Sequence, residues 1–121
     1  MGVVPIQSIY NLTMENTNTD LEAEFEEALR ATYQAASQRG YVAAYFLQML
    51  EEHGGVETAK RLLATATPQT GLFGLYNLGI LNESMEAVIY DNPRFHALFT
   101  QNEVSEARKR LEELGYFEKG K

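Results

Sequence analysis

Two histidines, four serines and several adjacent carboxylates are the residues of this chain whose types are suited to catalysis. General acid–base work needs such a group held against a substrate by a partner on the same face. His53 follows Glu51 and Glu52, but sequence neighbours do not share a helix face, and an imidazolium beside Gly54 suits the negative end of a helix dipole. His96 lies in Phe95-His96-Ala97-Leu98-Phe99, where packing accounts for it. Metal binding needs several convergent ligands, and there is no His-x3-His, Glu-x-x-His or aspartate-rich loop. No Gly-x-Ser-x-Gly elbow surrounds Ser8, Ser37, Ser84 or Ser105, and cysteine is absent. Gly71-Leu72-Phe73-Gly74 lacks the lysine and spacing of a phosphate loop. The expectation is a protein that is not an enzyme, with no catalytic, metal or cofactor site.

A binding role can be read in two chemistries. Lys60, Arg61, Arg108, Lys109 and Arg110 are the basic candidates for a nucleic-acid contact, if Gly55–Leu63 and the segment from Thr67 formed a helix-turn-helix. The second helix of that pair would carry only Gln69, Thr70 and Asn77 as polar readers, so specific DNA binding is the alternative reading. The opposite chemistry is acidic. Net charge is −7, and six acids with no base stand between Glu15 and Glu27. Phosphate and anionic lipid are repelled by such a chain, so nucleic acid is not favoured and no membrane partner is expected. Glu22, Glu26 and Glu27 read either as a solvated helix start or as a docking surface for a basic protein. Tyr116 and Phe117, beyond the last helix stop, either fold back as an apolar latch or join that surface. A further alternative is an acidic decoy that occupies the nucleic-acid groove of its target.

The elements that would position these groups are helical. At 121 residues one domain can bury ~65% of its unfolded surface. Thr19-Asp20-Leu21-Glu22 has the form of a capping box, followed by Leu21, Phe25, Ala28, Leu29 and Tyr33 at helical spacing and a stop at Gly40. Residues 1–18 read as an irregular or flexible lead-in. Tyr41–His53 forms a second helix ended by Gly54, with Val42, Tyr45, Phe46, Met49 and Leu50 on a wide apolar stripe. Val56–Thr65 forms a third. Thr67-Pro68 opens a short fourth helix that stops at Gly79, and Ser84–Tyr90 is a fifth. Asn92-Pro93 repeats the cap-plus-proline device. Thr100-Gln101-Asn102-Glu103 is a second capping box, opening a last helix with Val104, Ala107, Leu111 and Leu114 inward and Gly115 beyond its end. No stretch alternates long enough for a strand. The fold expected is all-α, one compact bundle of six to seven short helices over residues 19–117, with a tail at 118–121.

No apolar run reaches the ~18 residues of a membrane span, and Met1–Tyr10 lacks the basic start and apolar core of a signal peptide. With no cysteine the chain suits a reducing cytoplasm.

From Gly40 to Phe117 the chain resembles a widespread family of small, mostly uncharacterised bacterial helical domains. The resemblance is carried by Gly40-Tyr41, Phe46–Leu50, Gly54-Gly55-Val56-Glu57-Thr58-Ala59-Lys60-Arg61-Leu62-Leu63, Gly71-Leu72, Leu75, Ser84–Val88, Leu98-Phe99 and Ala107–Leu111. It covers roughly two-thirds of the chain. The family usually has an Arg-Leu-Asp-Leu-Thr run where this chain has Ile80-Leu81-Asn82-Glu83-Ser84. Its members stand alone or beside restriction-type endonuclease and other defence-linked modules. The resemblance implies a bacterial or phage origin and an accessory role in antiviral defence, without supplying a catalytic residue. The function expected is therefore a small helical accessory protein that binds a larger protein partner, a nuclease or another defence-associated component. Self-association is left open, though no heptad pattern sustains a coiled coil.

Overall fold

A computed structural model describes the backbone of residues 6–65 and 70–118 and the side chains of residues 19–65 and 71–118. Five α-helices follow in order: α1 (Ile6–Gln38), α2 (Ala44–Leu63), α3 (Thr70–Asn77), α4 (Met85–Asp91) and α5 (Gln101–Glu113). Two 3₁₀ segments, Leu81–Glu83 and Pro93–Leu98, lead into and out of α4. There is no strand among the described residues, and none of their helices is long and apolar enough to cross a membrane. The fold is all-α, as the periodicity predicts.

The first helix differs from expectation at its start. The backbone is already helical from Ile6, so Thr19-Asp20-Leu21-Glu22 lies inside α1 instead of capping it. The four-residue pattern is local and fits the interior of a helix as well as its end. The expectation of a flexible lead-in over residues 1–18 concerns residues whose side chains lie outside those described. So do the expected Thr67-Pro68 cap and the tail beyond Glu118.

Packing selects Phe25, Leu29, Thr32 and Ala36 from α1, a stripe advancing by four, three and four residues. Phe25 is the aromatic centre, edge-on to Phe95 and Phe99 with both ring centroids at 5.2 Å. Met49, Leu50, Ala59, Leu62 and Leu63 of α2, Met85 and Ile89 of α4, and Ala107 of α5 close around it. Thr32 is buried without penalty because its hydroxyl donates to the Ala28 and Glu83 carbonyls, tying α1 to the 3₁₀ turn.

Gly54 divides α2 into the two helices expected there. Its φ of 80° is left-handed, so the ladder breaks and restarts at Gly55 within one continuous run. The restart exposes backbone donors, and the Glu26 carboxylate takes one of them, accepting from the Gly55 amide at 3.2 Å. Ser84 caps α4 by accepting from the Ala87 amide at 3.1 Å. Thr100 and Glu103 form the reciprocal capping box of α5, at 3.1 and 2.8 Å. Asn92 works at the opposite end from the one expected: its side-chain amide donates to the Val88 carbonyl at 2.8 Å, closing α4 instead of capping the next segment.

Candidate functional site

The histidines are held apart on separate elements. His53 Nε2 stands 3.8 Å from Glu52 Oε1, and His96 Nε2 lies 3.4 Å from the Tyr90 carbonyl. No group of His, Asp and Glu able to hold a metal forms among the described residues.

The five basic residues do not assemble an unpaired face. Lys60 donates to Glu103 at 2.8 Å, Arg61 to Glu57 at 2.9 Å, and Arg108 to Glu112 at 3.3 Å. Arg110 is a correction to the nucleic-acid set, because its side chain is only 1% exposed. It reaches Glu106 at 2.7 Å and Glu86 at 3.4 Å. Its remaining donors go to the Leu62, Leu63 and Thr65 carbonyls at 3.2, 3.3 and 3.0 Å, satisfying the open end of α2. Helical spacing holds the signal that a run of three basic residues hides: Arg110 falls three residues after Ala107 and one before Leu111, on the buried stripe. Lys109 alone of the five is exposed without an ion pair among the described residues. The helix offered as a DNA reader, α3, presents Phe73 and Tyr76 to solvent.

The acidic and aromatic docking candidates also separate. Glu22 and Glu27 are exposed, whereas Glu26 is half-buried, bonded to Gly55 and paired with Arg30 at 3.1 Å. Tyr116 and Phe117 take the latch alternative. Phe117 lies edge-on to Tyr90 at 5.4 Å and under the Arg108 guanidinium at 5.1 Å. The Tyr116 hydroxyl donates to Asp91, and burial followed by that carboxylate pushes its pKa up to about 12. These two half-buried residues form a satellite core with Leu72, Leu81, Ala87 and Leu111, so they are not a free patch.

The exposed apolar surface lies elsewhere. Val42 and Tyr45, expected inward on the α2 stripe, are 61% and 65% exposed, and Phe73 and Tyr76 of α3 are 43% and 47% exposed. The stripe fails at this end because Val42 precedes the first turn of α2 and its inward neighbour is Tyr41. That ring lies on the glycine face of α3: a β-carbon on Gly74 would come within 2.9 Å of Tyr41 Cε2. Between the end of α1, the start of α2 and α3 opens a cleft of about 360 Å³, with Tyr33, Tyr41, Tyr45 and Phe46 on its walls and Glu86 among its lining residues. That volume falls within the range of ligand and side-chain pockets. Burial raises the Glu86 carboxyl above its ordinary value, outweighing its own backbone amide and Arg110. The cleft was hidden from the periodicity, which assigned its walls to the core.

A second, more open hollow of about 410 Å³ lies over the Gly54 kink, lined by Glu22, Glu26, His53 and Lys60 among others. Glu26 and Lys60 are already committed to Arg30 and Glu103. No protein-family model, curated protein or solved structure matches this chain.

Proposed function

We propose that the chain is a binding module that docks onto a larger protein through the aromatic rim of its cleft. The observation that carries this is the exposure of Val42 and Tyr45 on the wall of one apolar cleft, with Phe73 and Tyr76 also exposed on α3, the helix whose Gly71, Leu72 and Leu75 line the same cleft. Large apolar groups clustered at a concave site are what a partner's side chains bury, and aromatic residues dominate the energetics of such contacts. Glu22 and Glu27 stand roughly 9 to 17 Å along α1 from Tyr33, at ~1.5 Å per residue. Both are exposed on the helix whose later turns line the cleft, and their charge favours a partner carrying positive charge. The chain's resemblance to accessory domains found beside endonuclease and defence modules points to a partner of that kind in the cytoplasm.

The DNA-binding alternative is the weaker one, since four of its five cations are paired with acids and one of those four is buried. The decoy reading is likewise weakened, because Glu24 pairs with Arg94 and Glu26 with Arg30.

The test is affinity capture from extract of the source cells, split into nuclease-treated and untreated halves, using the wild-type chain beside Tyr45→Glu/Phe73→Glu and Lys109→Glu. A stoichiometric protein held by the wild type and Lys109→Glu but lost from the rim variant supports docking at the cleft. Retention by the rim variant contradicts it, and so does recovery of nucleic acid that Lys109→Glu abolishes.

A further inference from the structure

The wall chemistry of the cleft says more about its occupant, resting on the docking reading above. We propose that the cleft receives a lysine side chain of the partner protein, with the ammonium at Glu86 and the methylene stem between the tyrosine rings. Four observations lead there.

Its walls are apolar and aromatic, yet Glu86, a carboxylic acid only 4% exposed, lines it. A purely aliphatic occupant would seal that carboxyl away from water with nothing gained in return. Tyrosine and phenylalanine faces attract ammonium groups, and a lysine stem buries readily along apolar walls while its head seeks a polar partner.

The charges behind the cleft are unbalanced. Arg110 contacts both Glu86 and Glu106, so two carboxylates share one guanidinium. With both ionised the cluster carries one uncompensated negative charge. No lysine, arginine or histidine lines the cleft among the described residues to supply the missing cation.

The geometry favours an ammonium over a guanidinium. Arg110 approaches Glu86 through Oε2 alone, and a second planar fork would have to compete with the first for the same carboxylate. An ammonium is a point charge and needs only one edge.

The raised pKa of Glu86 agrees with this arrangement: burial disfavours its charged form, and an entering ammonium would restore it.

The experiment titrates the uniformly ¹⁵N-labelled full chain with Nα-acetyl-lysine methylamide and, separately, with its neutral counterpart Nα-acetyl-norleucine methylamide, following amide shifts. The lysine compound is expected to move Ala36, Leu75, Met85 and Glu86, and to saturate at a concentration at least about tenfold lower than the norleucine compound. Glu86→Gln should erase that preference. The wild-type comparison is decisive even if the variant folds poorly. Equal or tighter binding of norleucine overturns the proposal in favour of an apolar anchor, and absence of shifts from the lysine compound overturns it outright. Neither result touches the docking reading, which stands or falls on the rim variants.

Discussion

Glu26 of α1 and Gly55 of α2 lie so close that a β-carbon on Gly55 would come within 2.7 Å of the Glu26 Cα. The same pair is bonded, since the Glu26 carboxylate accepts from the Gly55 amide. One residue thus fixes both the spacing of two helices and the restart of the second after its kink. Gly55→Ala has no flexible side chain to displace, only the backbone of α1, and should cost about 1–3 kcal/mol. Gly71→Ala, whose nearest foreign atom is the Tyr41 hydroxyl at 3.8 Å, should be neutral or stabilising by up to about 1 kcal/mol. Urea denaturation of the two variants checks the contrast.

Removal of the buried guanidinium strands the buried Glu86 carboxylate and three carbonyl oxygens together and takes the partner from half-buried Glu106. Arg110→Met should therefore destabilise by about 3–5 kcal/mol. Replacing Glu86 and Arg110 together, by Gln and Met, should recover much of that loss, because the stranded charge is then gone. Chemical denaturation of the single and double variants measures the recovery.

Stability against pH carries two opposed signatures. The folded pKa of Glu86 is raised above 4.5, so its contribution is fully present below that value and is lost as pH rises through the folded one. Glu86→Gln should gain stability relative to wild type over that rise. Glu103 is the reverse case. Burial pushes its carboxyl up, but Lys60 and the Thr100 amide together hold it below 4.5. Its contribution is present above 4.5 and is lost as pH falls through the folded value. The deficit of Glu103→Gln should then shrink in acid. Denaturation midpoints across the acid-to-neutral range separate the two.

Tyr116 should titrate near 12 in ultraviolet difference spectra. Asp91→Asn should bring it down while leaving it above 10, because burial is the larger cause and the hydrogen bond the smaller. A full return to 10 would mean that the C-terminal latch is not packed on α4.

What was legible in the sequence was whatever short-range chemistry decides. The Thr100–Glu103 box and the Gly54 break each need only neighbouring residues, and each stands where the pattern places it. Thr19 carries an equally good pattern, but nothing in four residues states that the preceding chain is helical too. Arg110 sits in a run of basic neighbours, and charge is easier to see in a sequence than face. Val42 and Tyr45 look like core in sequence because the α2 stripe runs through them unbroken. Only the tertiary placement of Tyr41 on α3 shows that the stripe ends one turn early. Tyr116 and Phe117 are therefore packed, while Tyr45, Phe73 and Tyr76 are exposed.

Docking at the cleft requires that a protein partner cover this rim. The most direct measurement places a photo-crosslinking amino acid at Phe73, at Tyr45 and, as the reference, at Lys109, in the full chain expressed in its source cells. One discrete adduct with a second protein is expected from positions 73 and 45 and none from 109. Adducts of equal yield from all three positions, or adducts only with nucleic acid from position 109, would contradict it.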